Sequence, residues 1–123
     1  MQSGSTIRDA WGKWLNYNWE WDWFVSLTFR DSYVGTVRAN NLWRRWYGDL
    51  LKTTGKDVGF FRVTEWQGYR GIPHYHALML NLDGVRRLTW LDRWVDIAGW
   101  ARVLPYSPKK GANYYLSKYV TKE

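Results

Sequence analysis

The chain has no cysteine and only two histidines among its 123 residues. Without thiols neither a disulfide nor a thiolate metal site can form, and a reducing compartment is compatible with the chain. No stretch approaches ~18 uninterrupted apolar residues, which argues against a membrane span. The start, Met1-Gln2-Ser3-Gly4-Ser5, has neither a basic segment nor an apolar run. It reads as a polar lead-in over about residues 1–5, not as a signal peptide. Internal repeats and low-complexity tracts are absent. The length suits a single domain, residues 1–123, built on one core.

Aromatic rings and positive charge are plentiful. Phe, Trp and Tyr make up 20% of the residues, with eleven Trp and nine Tyr. So many rings cannot all be buried in a small protein, and some must lie at the surface, where they can stack on bases or on a partner. Eighteen Lys and Arg against eleven Asp and Glu give a formal charge of +7. Cations that follow phosphates and rings that stack on bases fit a single-stranded nucleic acid. Composition leaves a second reading equally open, a soluble basic protein with tryptophan at an oligomer interface.

Periodicity predicts a short helix over residues 6–20, then a strand over Trp23–Phe29, aromatic and β-rich. Thr36 is the expected cap of a helix reaching about Lys52, with Val37, Leu42, Trp46, Leu50 and Leu51 on its apolar side. Strands follow at Val58–Trp66 and Ile72–Leu80, joined by the turn Gln67-Gly68-Tyr69-Arg70-Gly71. A helix is predicted over Val85–Ala98 and a short strand over Trp100–Leu104, stopped by Pro105 and Pro108. The last helix spans Lys109 to about Lys122. The order βαββαβα predicts an α+β, ferredoxin-like or RRM-like antiparallel sheet with helices on one face and the other face free to carry a site.

Both histidines fall in Pro73-His74-Tyr75-His76-Ala77-Leu78. In a strand, side chains at i and i+2 leave the same face about 6.6–6.8 Å apart along the chain, so two imidazoles can lean onto one metal ion. Glu65, nine residues ahead of His74, comes across from this strand if the turn forms a hairpin. Two imidazoles and a carboxylate make a three-ligand site with open positions, able to offer Lewis acidity to a phosphate oxygen. Manganese or magnesium is the expected ion, with zinc as the other candidate. The alternative is one surface histidine and one core filler.

The second constellation is Tyr114-Tyr115-Leu116-Ser117-Lys118-Tyr119. On a helix Tyr115 and Tyr119 share a face about 6 Å apart along the axis, and Lys118 stands three residues from Tyr115. A phenol with its ordinary pKa near ~10 is a poor nucleophile. A nearby ammonium favours the phenolate, and a metal across the cleft polarises a phosphodiester. An amphipathic helix with tyrosine in its core is the plainer reading.

These residues together resemble a known family. His74-Tyr75-His76 is similar to the histidine–hydrophobe–histidine motif of the HUH endonucleases. That superfamily includes the rolling-circle replication initiators (Rep proteins) of plasmids and single-stranded DNA viruses and phages. Phe24-Val25-Ser26-Leu27-Thr28-Phe29 resembles their first motif. Gly71-Ile72-Pro73-His74-Tyr75-His76-Ala77-Leu78 resembles the second, and Tyr115-Leu116-Ser117-Lys118-Tyr119-Val120-Thr121-Lys122 the third. The Tyr-x-x-x-Tyr form is similar to that of two-tyrosine initiators of small isometric phages.

The resemblance covers about residues 23 to 122 and implies an HUH nuclease fold and a role for each matching residue. His74 and His76 would bind the metal, with Glu65 as third ligand. Tyr115 would attack a phosphodiester, leaving a 5′-phosphotyrosine and a free 3′-OH. Lys118 would orient or activate the site, and Tyr119 would be a second nucleophile. The implied substrate is single-stranded DNA or an origin hairpin. A host helicase or polymerase is the implied partner, and the expected setting is the cytoplasm of a bacterial or archaeal host, with no membrane association and a monomeric or weakly oligomeric state. Initiators of this kind often carry a further domain after the nuclease. The chain is thus expected to be a compact initiator or the catalytic domain of a longer one.

Two other functions compete with nicking and joining, a non-catalytic module for single-stranded nucleic acid and a metallohydrolase using water as nucleophile. Arg30, Arg44, Arg45, Lys109 and Lys110 are the leading candidates for phosphate contacts, with Arg38, Arg86 and Arg87 behind them. The alternative for each is a solvated helix face.

Overall fold

The structure, a computed structural model, describes residues 4–121. Its elements are α1 (Gly4–Asn18), β1 (Trp23–Leu27), α2 (Thr36–Thr54), β2 (Gly59–Gln67), β3 (Ile72–Leu80), α3 (Arg87–Ile97), β4 (Ala101–Pro105) and α4 (Ala112–Thr121). A single 3-10 turn, Pro108–Lys110, leads into α4. The strands form one open sheet in the order β2-β3-β1-β4. Every pairing is antiparallel. This is the α+β, ferredoxin-like arrangement that the element order predicts. Pro105 ends β4, an edge strand, where a missing N–H costs no ladder bond.

Strand alternation sorts side chains between two faces. Trp23, Val25 and Leu27 of β1 join Tyr75, Ala77 and Met79 of β3 and Val103 of β4 in the main core. Helices α2 and α3 cover this face. The buried residues of α2 are Ala39, Trp43, Trp46 and Leu50, spaced four, three and four apart, which draws one stripe down the helix. The indole N–H groups buried with them are satisfied by backbone: Trp46 donates to the Trp90 carbonyl over 2.9 Å, and Trp94 to the Thr28 carbonyl over 2.9 Å. Elsewhere Trp14, Trp19, Trp66 and Trp100 remain exposed.

The second sheet face is not free. Helices α1 and α4 pack on each other and close a smaller core with Leu15, Trp21, Val63, Leu78, Ala112 and Leu116. Helices therefore lie on both faces, and the expectation of a single covered face is corrected. The reason is the apolar side of α1, whose Leu15 is fully buried although the helix precedes the βαββαβ unit. Full burial of a leucine contributes about 1.5–3 kcal/mol. Leu15 and Leu116 thus anchor the two helices to one part of the sheet and leave a cleft beside them. Asn113 of α4, buried, donates to the Gly12 carbonyl of α1 over 2.8 Å and strengthens the join.

Three boundaries differ from expectation. Thr36 is the first residue of α2 and not its cap; Gly35 holds the cap position in extended backbone, with no side-chain cap bond. The last helix starts at Ala112, because Pro108–Lys110 forms a 3-10 turn and Gly111 breaks it with φ +72°. Strand β1 ends at Leu27, although Thr28 N–H still bonds Trp100 O and Arg30 N–H bonds Ala98 O. Gly99 lies against that extension. A Cβ there would stand 2.3 Å from Thr28 O.

Candidate active site

The β2–β3 register sets Glu65 opposite His74 and Val63 opposite His76. Residues 61, 63, 65 and 67 of β2 and 74, 76, 78 and 80 of β3 share the face carrying α1 and α4. Glu65, His74 and His76 accordingly line one cleft of about 600 Å³, with Ser26, Lys110 and Tyr115 among its other walls.

His76 is the centre of the cluster and is 8% exposed. Its Nε2 lies 2.9 Å from Glu65 Oε1, and its Nδ1 lies 2.9 Å from Ser26 Oγ across the β1–β3 ladder. The ring of Tyr119 stacks on the imidazole at 5.6 Å between centroids and 13° between planes. The ring of Tyr115 meets the same imidazole edge-on, at 5.6 Å and 88°. Tyr119 donates its hydroxyl proton to Glu65 Oε2 over 2.7 Å, and its hydroxyl is 3.1 Å from that of Tyr115. Gln67 adds a third bond to the carboxylate, from Nε2 to Oε1 over 2.6 Å.

These contacts decide protonation. Burial alone would push the Glu65 carboxyl up, but hydrogen bonds from His76, Tyr119 and Gln67 outweigh it and hold the pKa down at about 2. Tyr119 moves the other way. Burial, the bond with Tyr115 and the bond with Glu65 all hold its phenol protonated well above the ordinary range. His74 is shifted down from its ordinary value by burial, against the pull of Glu65, and is neutral at pH 7.

Glu65, His74 and His76 are the right donors for a divalent cation, on one face and facing one cleft. Ser26 supplies the partner that a ligating histidine usually has on its second nitrogen. A serine hydroxyl can donate to Nδ1 while Nε2 holds its proton toward Glu65, or accept from Nδ1–H once Nε2 turns its lone pair to a cation. The donor chemistry therefore fits. Among the described residues, no three His, Cys, Asp or Glu side chains already converge as a metal-binding group; here Glu65 and His76 bond each other directly.

Tyr115 is 39% exposed and lines the cleft, whereas Tyr119 is partly buried. Both project from α4, which Leu116 and Ser117 seat against the fold with no exposed surface. Lys118 belongs to the same helix, but its side chain lies outside the described residues. Among the basic candidates, Lys110 lines the cleft and Lys109 is exposed beside it in the 3-10 turn. Arg45 is exposed on α2, and Arg44 lines a groove on the opposite face of the sheet. Arg30 is engaged within the fold. It donates to the carbonyls of Val95, Gly99 and Asp96 at the C-terminal end of α3, where the helix dipole favours a cation.

Sequence reasoning missed Ser26 and Gln67. Ser26 is the polar residue on the outer side of a buried strand, a signal readable once β1 and β3 are paired. The turn pattern assigns Gln67 to the loop, but it closes β2 two residues after Glu65, on the same face.

A family model for replication-associated proteins of the ORF2 type matches residues 22–123. The match takes in β1, the histidine strand and the tyrosine helix and leaves out α1. No curated protein matches the chain.

Proposed function

Since the chain belongs to this family of replication-associated proteins, we propose that it nicks and rejoins single-stranded DNA through a 5′-phosphotyrosine and so initiates rolling-circle replication. The observation that supports this best is the position of Tyr115, on the rim of the cleft that Glu65, His74 and His76 line. A nucleophile with both imidazoles and a carboxylate across one cleft is the arrangement that an HUH-type transesterification needs.

In the proposed reaction the Tyr115 oxygen attacks phosphorus, a P–O bond to Tyr115 forms, and the P–O3′ bond breaks. The 3′ oxygen leaves as a hydroxyl, so the phenolic proton is in balance transferred to it. One phosphodiester replaces another, and joining is the same step reversed. Glu65, His74 and His76 would hold manganese or magnesium, with zinc as a third candidate; such an ion, when bound, draws charge from a non-bridging phosphate oxygen. Lys118, three residues along α4, would favour the Tyr115 phenolate. Tyr119, 3.1 Å from the Tyr115 hydroxyl, is the group placed for a second attack in strand transfer.

The substrate would be single-stranded DNA or the exposed strand of an origin hairpin, in the cytoplasm of a bacterial or archaeal host, with a host helicase or polymerase extending the freed 3′ end. No helix among the described residues is long and apolar enough to cross a membrane.

The test is incubation with a panel of labelled oligonucleotides and Mn²⁺, followed by denaturing electrophoresis and peptide mapping. A covalent adduct at Tyr115 is expected. Metal-dependent cleavage that survives Tyr115→Phe without an adduct would establish water as nucleophile instead. Binding without cleavage across the panel would leave a non-catalytic binding module.

A further inference from the structure

The face of the sheet opposite the catalytic cleft carries a second groove, of about 450 Å³, between α2 and the β2 edge. Two guanidinium groups line it, those of Arg44 and Arg62. Among the described residues no ion pair involves either one. Arg62 is partly buried, and its guanidinium lies 4.2 Å from the Tyr75 ring centroid and 5.1 Å from that of Trp43. Nη1 donates to Asn40 Oδ1 over 3.1 Å.

A partly buried cation with no carboxylate is costly. Burial works against the charge of Arg62, the Tyr75 phenol favours it, and the neighbouring Arg44 opposes it; the balance lowers its pKa. Two such cations side by side at a groove are stabilised by an anion between them, and a guanidinium fork suits a phosphate best. The rest of the wall is not that of a bare anion site. Trp66 is 58% exposed there, and Asn40 and Asn41 add amide donors and acceptors. A flat ring beside a pair of cations and two amides matches a nucleotide of a single strand, with its base on the ring and its phosphate on the guanidinium groups.

Placement ties this groove to the cleft. Trp66 follows Glu65 directly along β2, so the two side chains leave opposite faces of the same edge strand. One DNA strand passing round the β2 edge would reach from Glu65 on one face to Trp66 on the other. We propose that this groove binds a nucleotide of the DNA strand flanking the scissile phosphate, with Arg44 and Arg62 on its phosphate and Trp66 under its base. The inference rests on single-stranded DNA as substrate.

The test pairs affinity with cross-linking. Fluorescence anisotropy compares the wild-type protein with Arg44→Glu and Trp66→Ala, both exposed positions, on a short oligonucleotide and on one extended by several nucleotides to either side. Arg62→Lys joins the set, with circular dichroism to verify its fold. Arg44→Glu and Trp66→Ala are each expected to weaken the extended oligonucleotide roughly tenfold and to leave the short one unchanged, each lost phosphate or stacking contact being of that order. The salt slope of the extended complex should become shallower by about one for each lost phosphate contact. Halogenated uracil in the flank should cross-link to Trp66 on irradiation.

Equal affinities of all variants for the extended strand, or cross-links confined to the catalytic cleft, would overturn the groove. The two failures are separable. An adduct at Tyr115 with no effect of Arg44→Glu removes the groove and keeps the nicking reaction. Affinity that depends on Arg44 and Trp66 without any adduct removes the nicking reaction and keeps the groove.

Discussion

Tyr119 donates its hydroxyl proton to Glu65 Oε2 over 2.7 Å, and this bond joins the helix of the tyrosines to the hairpin of the histidines. It also separates two phenols that the sequence presents as equals. The one bonded to the carboxylate is held protonated, while the other lines the cleft. Donation to the carboxylate spends the proton of Tyr119 on holding Glu65 and leaves Tyr115 as the phenol facing substrate.

Tyr115→Phe should therefore abolish adduct formation, a loss on the order of a thousandfold or more, as expected for removal of a nucleophile. Tyr119→Phe should still form the first adduct and fail in strand transfer to a second oligonucleotide. Single-turnover assays with one and then two labelled DNA strands separate these outcomes. Equal first-step rates for both variants would contradict the assignment.

Acid should act on the fold through Glu65. Its carboxyl titrates at about 2, below the ordinary 4.5, because the bonds from His76, Tyr119 and Gln67 prevail over burial. A depressed folded-state value means that the ionised form stabilises the fold, fully above pH 4.5 and progressively less as pH falls through about 2. In metal-free protein, urea unfolding at several pH values should show this loss in the wild type and much less of it in Glu65→Gln. A carboxyl NMR resonance for Glu65 titrating near its ordinary value would refute the prediction.

Ser26→Ala should weaken divalent metal binding about 10–100-fold, the usual effect of losing the partner on the far nitrogen of a ligating histidine. Overall stability should change little, since the hydroxyl is small and lies at the edge of the cleft. Isothermal titration with Mn²⁺ measures the first, thermal unfolding the second. Unchanged Mn²⁺ affinity would mean that His76 needs no help from Ser26 in being oriented.

Gly99→Ala should destabilise the fold without touching the site. Its new methyl would stand 2.3 Å from Thr28 O and 2.7 Å from Phe29 Cα, both backbone atoms that cannot turn aside. Overpacking of this kind costs about 1–3 kcal/mol. For a domain of this size that lowers Tm by roughly 5–15 °C. A Tm within a degree of the wild type would show that the β1–β4 contact yields easily.

The strands are legible because their alternation is written in residue types. Ile72–Leu80 emerges with the predicted bounds. Glu65 can be placed across from the histidines because a five-residue turn between two β-rich runs leaves few registers, and the observed one sets it opposite His74. The helix boundaries are less legible. Lys109 and Lys110 are sound helix formers, yet Pro108 and Gly111 turn them into a 3-10 segment. Arg30 reads as a phosphate contact in the sequence, and only the path of α3 shows that three backbone carbonyls take its donors.

By itself the sequence determined the sheet, the shared face of His74 and His76 and the helical spacing of Tyr115 and Tyr119, since periods of two and 3.6 residues follow from local backbone geometry. Only the tertiary structure decided that α1 and α4 close over the second face of that sheet, that Ser26 and Gln67 belong to the cluster, and that Tyr119 binds Glu65 while Tyr115 faces the cleft. Those choices depend on which apolar surfaces meet across long separations in the chain, and no local pattern encodes that meeting.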